Sequence, residues 1–317
     1  MHSIRCTSIG TFVSGALVLA CSVGAASDIP PGRAIGEFSR EGEYIKDFFV
    51  QRDGDTYHLF YNVGAAGPEQ DWQAPGNEKA FGHASTRDLK TWTHHPRILP
   101  VVPGSWEGQV VSAPSIVRTG DGFLMAYTGF DDRVLGRQSI GLATSRDLFT
   151  WERVKANPRV SAPAWTMIRP SGWLDCRDGH LIRHGDELLL YYMTTTSENR
   201  GAIGLASSPD GAAWKDLGPA LVTFDQPESP SVFEHNGVYY LFATSGLGRI
   251  LSKSRDPKSG RWQEVPFAWP EGGLWSGWEV FQFGERTVFA AFIWKPQGNF
   301  IRFWEIEWDG ETPVCRY

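Results

Sequence analysis

The strongest constraint on this chain is a unit that returns five times. A turn made of Gly, Asn or Asp precedes an aromatic and β-branched run in each copy. Asp53-Gly54-Asp55 leads into Tyr57-His58-Leu59-Phe60-Tyr61, and Gly120-Asp121-Gly122 into Phe123-Leu124-Met125-Ala126-Tyr127. Gly185 leads into residues 188–192, Asn236-Gly237 into Val238-Tyr239-Tyr240-Leu241-Phe242, and Gly284-Glu285 into residues 287–292. These read as hairpins, because Gly and Asn accept the backbone of a tight turn and branched or aromatic side chains suit a strand. The second half of the unit repeats as well. Phe81-Gly82-His83-Ala84-Ser85 runs on to Asp88 and Trp92, Ile140-Gly141-Leu142-Ala143-Thr144 to Asp147 and Trp151, and Ile203-Gly204-Leu205-Ala206-Ser207 to Asp210 and Trp214. Residues 250–254 run on to Asp256 and Trp262, and the fifth copy, residues 300–308, is degenerate.

Each unit holds four strands, and no amphipathic helical stretch of useful length interrupts the series. The expected fold is all-β, a five-bladed β-propeller forming one domain over residues 27–317. A β-sandwich also has many short strands, but it does not demand one unit repeated five times. Residues 34–41 are a candidate for a strand that closes the ring.

Residues 1–26 stand apart. One positive charge, Arg5, precedes an apolar run over residues 12–20 and the small residues Val23-Gly24-Ala25-Ala26, the three regions of a secretory signal peptide. The run is too short to span a bilayer. The expected location is therefore periplasmic or extracellular, with no transmembrane segment in the mature chain. Val18-Leu19-Ala20-Cys21 also loosely matches a lipoprotein box, which would acylate Cys21. Only Cys176 and Cys315 remain beyond the signal, and an exported protein could pair them. The net charge of −6, with no basic patch, argues against a nucleic-acid partner. No zinc-ligand spacing is present.

Asp88, Asp147, Asp210 and Asp256 occupy one place in their repeats and read as turn residues that bond their own backbone. Asp53 and Asp121 belong to the hairpins. Other carboxylates do not fit that role. The first strand of each blade lines the channel of a propeller, so equivalent positions converge on the axis. With the hairpin glycine as a ruler, Asp47 lies seven residues before Gly54, Asp178 seven before Gly185, Ser115 seven before Gly122 and Gly277 seven before Gly284. Glu228 lies nine before Gly237, which keeps strand parity. Their neighbours are apolar, as in Phe48-Phe49-Val50, Leu181-Ile182 and Val232-Phe233, and carboxylates rarely enter such runs without a partner or a task. Three at one rim would shift one another's pKa and divide the roles of proton donor and charged base. The bland alternative is a buried ion network, with Asp178 paired to Arg177 and Glu228 to a basic residue. Asp175, on the other parity, reads as a loop or supporting residue. Glu279, five before Gly284, keeps the right parity to bind substrate or tune a neighbour. His180 lies close to Asp178; His83 could reach a ligand, and His58, His94, His95 and His184 read as structural. Phe48, Trp173, Trp275 and Trp278 could provide stacking platforms. No Gly-x-Ser-x-Gly elbow and no His-Glu-x-x-His helix appears.

These motifs carry a resemblance. Tyr57-His58-Leu59-Phe60-Tyr61-Asn62, followed by Phe81-Gly82-His83-Ala84-Ser85-Thr86-Arg87-Asp88-Leu89-Lys90-Thr91-Trp92, is similar to the first blade of the invertase and fructanase glycosidases. Cys176-Arg177-Asp178-Gly179 resembles their Arg-Asp-Pro motif. Glu228-Ser229-Pro230-Ser231-Val232-Phe233 resembles the acid motif of their fourth blade and of the related arabinanase and xylosidase family. The resemblance implies a central pocket that cleaves a glycosidic bond, often of a furanose sugar. Asp47 would be nucleophile or general base, Asp178 would stabilise the transition state, and Glu228 would be the general acid. Arg177, His180, Phe48, Glu279, Trp278 and Ser115 are the candidate substrate-binding residues. Asp47 is followed by Phe48 rather than Asp-Pro, and Gly179 replaces the proline after Asp178, which points to a divergent branch. No cofactor is expected; some relatives hold a structural calcium near the axis, and nothing in this sequence requires one. Three other functions fit the same pattern: transfer to an acceptor sugar or to phosphate, a carbohydrate-binding propeller without chemistry, and a purely structural interaction propeller.

Overall fold

The computed structural model describes residues 34–67, 71–169, 171–270, 277–295 and 298–315. The signal segment with Cys21, and Trp275, lie outside the described residues. The described chain is all strand and turn, arranged in five antiparallel sheets. The innermost strands are Glu43–Asp53, Val110–Thr119, Arg177–His184, Glu228–His235 and Glu279–Phe283. Each touches the next, and the last touches the first, so the ring is closed. This is a five-bladed β-propeller.

The repeat dictates this packing. Every middle strand is buried on both faces, as in Leu189, Leu190, Tyr191 and Tyr192 of Glu187–Thr195. Both faces must therefore meet a neighbouring sheet. They do so through five apolar clusters, one in each gap between blades. Cys176 belongs to the cluster between blades two and three and Cys315 to that between blades four and five. Both are buried free thiols, so burial in separate interfaces rules out the disulfide between them.

The ring is closed by the strand Ala34–Phe38, which pairs antiparallel with Phe300–Asp309 of blade five. Gly36 is required there, because a Cβ at that position would sit 2.1 Å from the carbonyl oxygen of Leu89. Trp92 Nε1 donates to the Glu37 carbonyl at 2.9 Å, tying the closing strand to blade one. The repeated aspartates hold turns: Asp88 Oδ1 accepts Thr91 N at 2.7 Å, Asp147 Oδ1 accepts Thr150 N at 2.7 Å, Asp210 Oδ1 accepts Ala212 N at 2.8 Å and Asp256 Oδ1 accepts Lys258 N at 2.9 Å. His58 and His83 are buried in the interior of blade one, with His58 Nδ1 3.0 Å from His83 Nε2, which leaves His83 no access to a ligand.

Candidate active site

Four of the inner strands carry the same irregularity. The inner strand carries one residue more than its partner between Lys46 and Phe48, Ser112 and Ser115, Arg177 and His180, and Glu228 and Ser231. Within each bulge one residue takes a left-handed backbone: Asp47 at φ 39°, Ala113 at 50°, Asp178 at 56° and Ser229 at 50°; Gly277 at 79° holds the matching place in blade five. Left-handed backbone is costly for residues with a Cβ and is kept only where the surroundings impose it. A bulge re-aims its side chain and breaks the alternation of faces. Five such positions form a ring around the axis, and two of them are aspartates.

This ring corrects the glycine ruler. Counting parity across a bulge fails, so Glu228 is not the partner of Asp47 and Asp178. It shares the position just before the bulge with Lys46, Ser112 and Arg177. The side chains at that upper level point into the mouth, and the bulged residues form the floor. A pocket of about 720 Å³ stands on the floor, lined by Asp47, Asp178 and Glu228 together with Lys46, Glu78 and Arg177. Trp72, Phe130, Trp173, Phe292 and Trp294 supply its aromatic wall.

The residues after the bulge lie below the floor. Phe48, Ser115, His180, Trp278 and Glu279 were expected to bind substrate, and the structure removes all five from the open pocket. They line a separate cavity of about 30 Å³ beneath Asp47, Asp178 and Ser229. Phe48 and Trp278 are packed in the interblade clusters. Trp278 Nε1 donates to Thr244 Oγ1 at 3.1 Å. Ser115 Oγ accepts Leu181 N at 2.9 Å, which makes it a strand-to-strand tie. His180 Nε2 is 3.1 Å from the Val232 carbonyl, and burial lowers its pKa to about 4. Glu279 is 3.9 Å from His180 Nδ1, and burial pushes its carboxyl well above the usual range. Of the expected substrate-binding residues, Arg177 alone lines the open pocket. Among the proposed stacking platforms, Trp173 does so too.

Arg177 is the centre of the charge arrangement. Its Nη2 meets Glu228 Oε1 at 2.6 Å, its Nη1 meets Asp175 Oδ1 at 2.7 Å and its Nε lies 3.7 Å from Asp178 Oδ2. Asp175, on the loop just before Arg177–His184, is a fully satisfied hub that supports Arg177. Its Oδ2 accepts Arg169 Nη2 at 2.8 Å, Thr195 Oγ1 at 2.9 Å and Gln226 Nε2 at 3.0 Å, and its Oδ1 accepts Trp173 Nε1 at 3.0 Å. The hub fixes the plane of the Arg177 guanidinium, which then addresses Glu228 in one orientation.

A second network holds Asp47. Asn62 Nδ2 donates to Asp47 Oδ2 at 3.1 Å and to Glu78 Oε2 at 3.2 Å, while Asn62 Oδ1 accepts Ala113 N at 2.9 Å. Glu78 is buried and bridges Lys46 Nζ at 2.8 Å and the Tyr44 hydroxyl at 2.9 Å. Ser229 joins the two halves: its backbone N–H donates to Asp178 Oδ2 at 3.2 Å and its Oγ lies 3.5 Å from Asp47 Oδ1. Burial raises the Asp47 pKa to about 7; Lys46 pulls it down, and Asp178, Glu78 and Glu228 add to the rise. Asp178 is raised by burial as well, against the pull of Arg177. Burial alone would lower Lys46, but Glu78 and Asp47 outweigh it and hold the ammonium charged.

Glu78, Asn62, Lys46, Arg169, Gln226 and Trp72 were not singled out from the sequence as site residues. Lys46 and Asn62 did carry a signal, since they flank Asp47 and end the first middle-strand motif. Glu78 and Trp72 lie in the long connection of residues 66–80, where no periodicity exists to be read.

The class of molecule is set by this geometry: a propeller with carboxylates from three blades around one axial pocket, braced by an arginine and a lysine. Residues 48–242 match the family model of the glycosyl hydrolases family 32 N-terminal domain. The chain belongs to that family. Solved structures agree on the fold. Fructan 1-exohydrolase IIa from Cichorium intybus is 15% identical with a TM-score of 0.72, covering 90% of this chain and 60% of its own. The GH32 beta-fructofuranosidase of Bombyx mori is 18% identical with a TM-score of 0.67, covering 91% of this chain and 65% of its own. An exo-1,5-alpha-L-arabinanase from a bovine ruminal metagenomic library is 16% identical with a TM-score of 0.60, covering 88% of this chain and 100% of its own. This chain thus spans 60% and 65% of the length of the first two.

Proposed function

We propose that this protein is a glycoside hydrolase that cleaves a furanoside, a fructofuranoside or an arabinofuranoside, in the axial pocket. The observation that carries the reading is the convergence of Asp47, Asp178 and Glu228 on one open pocket, with Arg177 bonded to Glu228 at 2.6 Å. Family membership and the sugars named for the structurally similar enzymes support the furanoside class.

Glu228 is more exposed than Asp178, its side chain 47% accessible against 11%, and stands at the mouth where a leaving oxygen would sit. It protonates that oxygen as the bond to the anomeric carbon breaks. Asp47 faces the sugar from the floor and either attacks the anomeric carbon or draws a proton from water, through an oxocarbenium-like transition state. Asp178, 11% accessible and held by Ser229 N–H, places a second negative charge beneath the positive charge that develops on the ring. Lys46 and Arg177 bind hydroxyls and keep the acidic floor from repelling itself. The chemistry needs no cofactor, because carboxylates supply both the proton and the electron pair. The leader over residues 1–26 would send the enzyme out of the cytoplasm, where polymeric carbohydrate is met. No helix among the described residues is long and apolar enough to cross a membrane.

The test is a panel of aryl furanosides, aryl pyranosides, sucrose, fructo-oligosaccharides and arabino-oligosaccharides, with product stereochemistry followed by NMR. We expect furanoside turnover by the wild type and a loss of about 10⁴-fold or more in Asp47→Asn. Binding without turnover across the whole panel, or equal rates in the two proteins, overturns the reading.

A further inference from the structure

The cavity of about 30 Å³ beneath the floor has an unusual lining. Asp47, Asp178 and Glu279 reach it from three different blades, and among the described residues no lysine or arginine lines it. Blade five comes close here because it has glycine at the floor level: a Cβ on Gly277 would stand 3.4 Å from the Asp47 Cα. From Gly277 the strand alternates. Trp278 turns outward into an interblade cluster, and Glu279 turns inward under Asp47.

Glu279 is only 6% exposed. Among the described residues no group donates a hydrogen bond to its carboxyl, and His180 Nδ1, 3.9 Å away, stands beyond hydrogen-bond reach. A buried carboxyl without a partner is costly. A polar cavity of this size has room for about one or two waters. The count of donors then settles which group carries a hydrogen. His180 Nε2 is 3.1 Å from the Val232 carbonyl, which only accepts, so the ring N–H is on Nε2 and Nδ1 presents a lone pair. The ionised aspartates also offer acceptors alone. Three acids around one small space cannot all be charged. Asp178 has the Ser229 N–H and the Arg177 guanidinium, and Asp47 has the Asn62 amide and Lys46. Glu279 has neither a donor nor a cation, and burial raises its carboxyl in the same direction.

We propose that Glu279 is a positioning residue for Asp47: it keeps its proton and donates upward, through buried water, to the underside of the Asp47 carboxylate. A donor from below favours the charged form of Asp47, the form that attacks carbon or draws a proton from water. It acts in the same sense as Lys46 and against burial, Asp178, Glu78 and Glu228. The other titratable group at the cavity is His180, which burial holds neutral with a pKa of about 4. Blades two and four line the cavity with uncharged residues, Ser115 and Ser229 among them. The kinetic consequence rests on the hydrolytic reading above; the hydrogen-bonded link does not.

The test titrates the carboxyls themselves. Protein labelled at the side-chain carboxyl carbons of Asp and Glu is followed by NMR against pH, with Asp47→Asn and Glu279→Gln assigning the two signals. In wild type the Glu279 signal should be that of a protonated acid at neutral pH, and a carboxylate signal there overturns the proposal. Glu279→Leu removes the donor, so the Asp47 midpoint should rise by about 1 pH unit, and the acid limb of kcat/KM on an aryl furanoside should follow it. Glu279→Gln keeps an N–H donor and should leave the midpoint near the wild-type value. A midpoint that falls in both variants marks Glu279 as a charged neighbour, and one that stays in both marks it as structural; either overturns the link. A wild-type Asp47 signal that moves on adding EDTA marks a cation in the cavity and also overturns it. The expected NMR changes with no turnover keep the link and remove the hydrolase. Turnover with an unmoved Asp47 midpoint in Glu279→Leu removes the link and leaves the hydrolase standing.

Discussion

The five inner strands share one backbone device and use it differently. In blades one and three the bulge carries an aspartate, and a cation precedes it: Lys46-Asp47 and Arg177-Asp178. In blade two the same two positions hold Ser112-Ala113. The backbone of Ala113 is as left-handed as that of Asp178, at 50° against 56°, yet Ala113 offers no group to a ligand. Left-handed geometry at the axis is thus a property of the fold, not of the chemistry. Blade four reverses the order, with the carboxylate of Glu228 at the upper level and Ser229 in the floor. That reversal lifts the proposed proton donor above the two aspartates and gives it a different exposure.

The sharpest way to break this contrast is at the reversed blade. Glu228→Gln keeps the shape and the Arg177 contact but cannot donate a proton, so kcat on natural glycosides should fall by about 10²–10⁴. Aryl furanosides with acidic leaving groups should lose far less, and equal losses on both would refute the donor role. Next is the cation shared by blades three and four. Arg177→Met removes the cation shared by Asp175, Asp178 and Glu228, leaving Asp175 with Arg169 alone, and should cost about 3–5 kcal/mol in urea unfolding at neutral pH. Arg177→Lys should recover part of the stability and little of the activity, since an ammonium cannot address two carboxylates in one plane.

The blade-one pair gives a subtler effect. If Asp47 acts ionised, the acid limb of kcat/KM should lie near its pKa of about 7. Lys46 pulls that pKa down, so Lys46→Met should move the limb to higher pH, and a limb that stays in place would separate it from Asp47. The folded pKa of Asp47 lies above its unfolded value, so its contribution to stability is fully present below the ordinary carboxylate range and is lost as pH rises through about 7. Asp47→Asn should accordingly raise Tm more at pH 8 than at pH 4, readable by scanning calorimetry. The smallest change is expected in blade two. Ala113→Gly relieves a left-handed alanine worth about 1 kcal/mol and should stabilise by no more than that, with kinetic constants unchanged.

The propeller was legible because the outer strands repeat faithfully: the Asp-to-Trp turn ends every blade but the degenerate fifth. Asp47, Asp178 and Glu228 could be chosen because charged residues stood in apolar runs. Their vertical order was misplaced by the count from the hairpin glycines. The failure lay in the ruler. Each hairpin has a two-residue loop, between the pairs Asp53–Thr56, Thr119–Gly122, His184–Glu187, His235–Val238 and Phe283–Arg286. Counting seven residues back from the first loop residue, rather than from a glycine, lands on Asp47, Ala113, Asp178, Ser229 and Gly277, the five left-handed positions. Gly122 lies past its loop and Gly237 is second in its own, which is why Ser115 was raised to the pocket and Glu228 was placed on the wrong level. Glu78 and the partners of Asp175 were hidden for another reason. They act through loops and across blades, and no local pattern reports a partner 51 residues away, as for Asp175 and Gln226.

The strand Ala34–Phe38 has its partner in Phe300–Asp309, nearly the full length of the chain away. A ribosome delivers the first of these long before the second exists. Blades one to four can each collapse as they emerge, but the circle stays open until Phe300–Asp309 arrives, and a short, Gly-containing segment must wait unpaired in the meantime. Loop closure over such a distance is slow, and an open sheet edge invites wrong pairing. The ring would thus become complete all at once and late, when Ala34–Phe38 meets Phe300–Asp309.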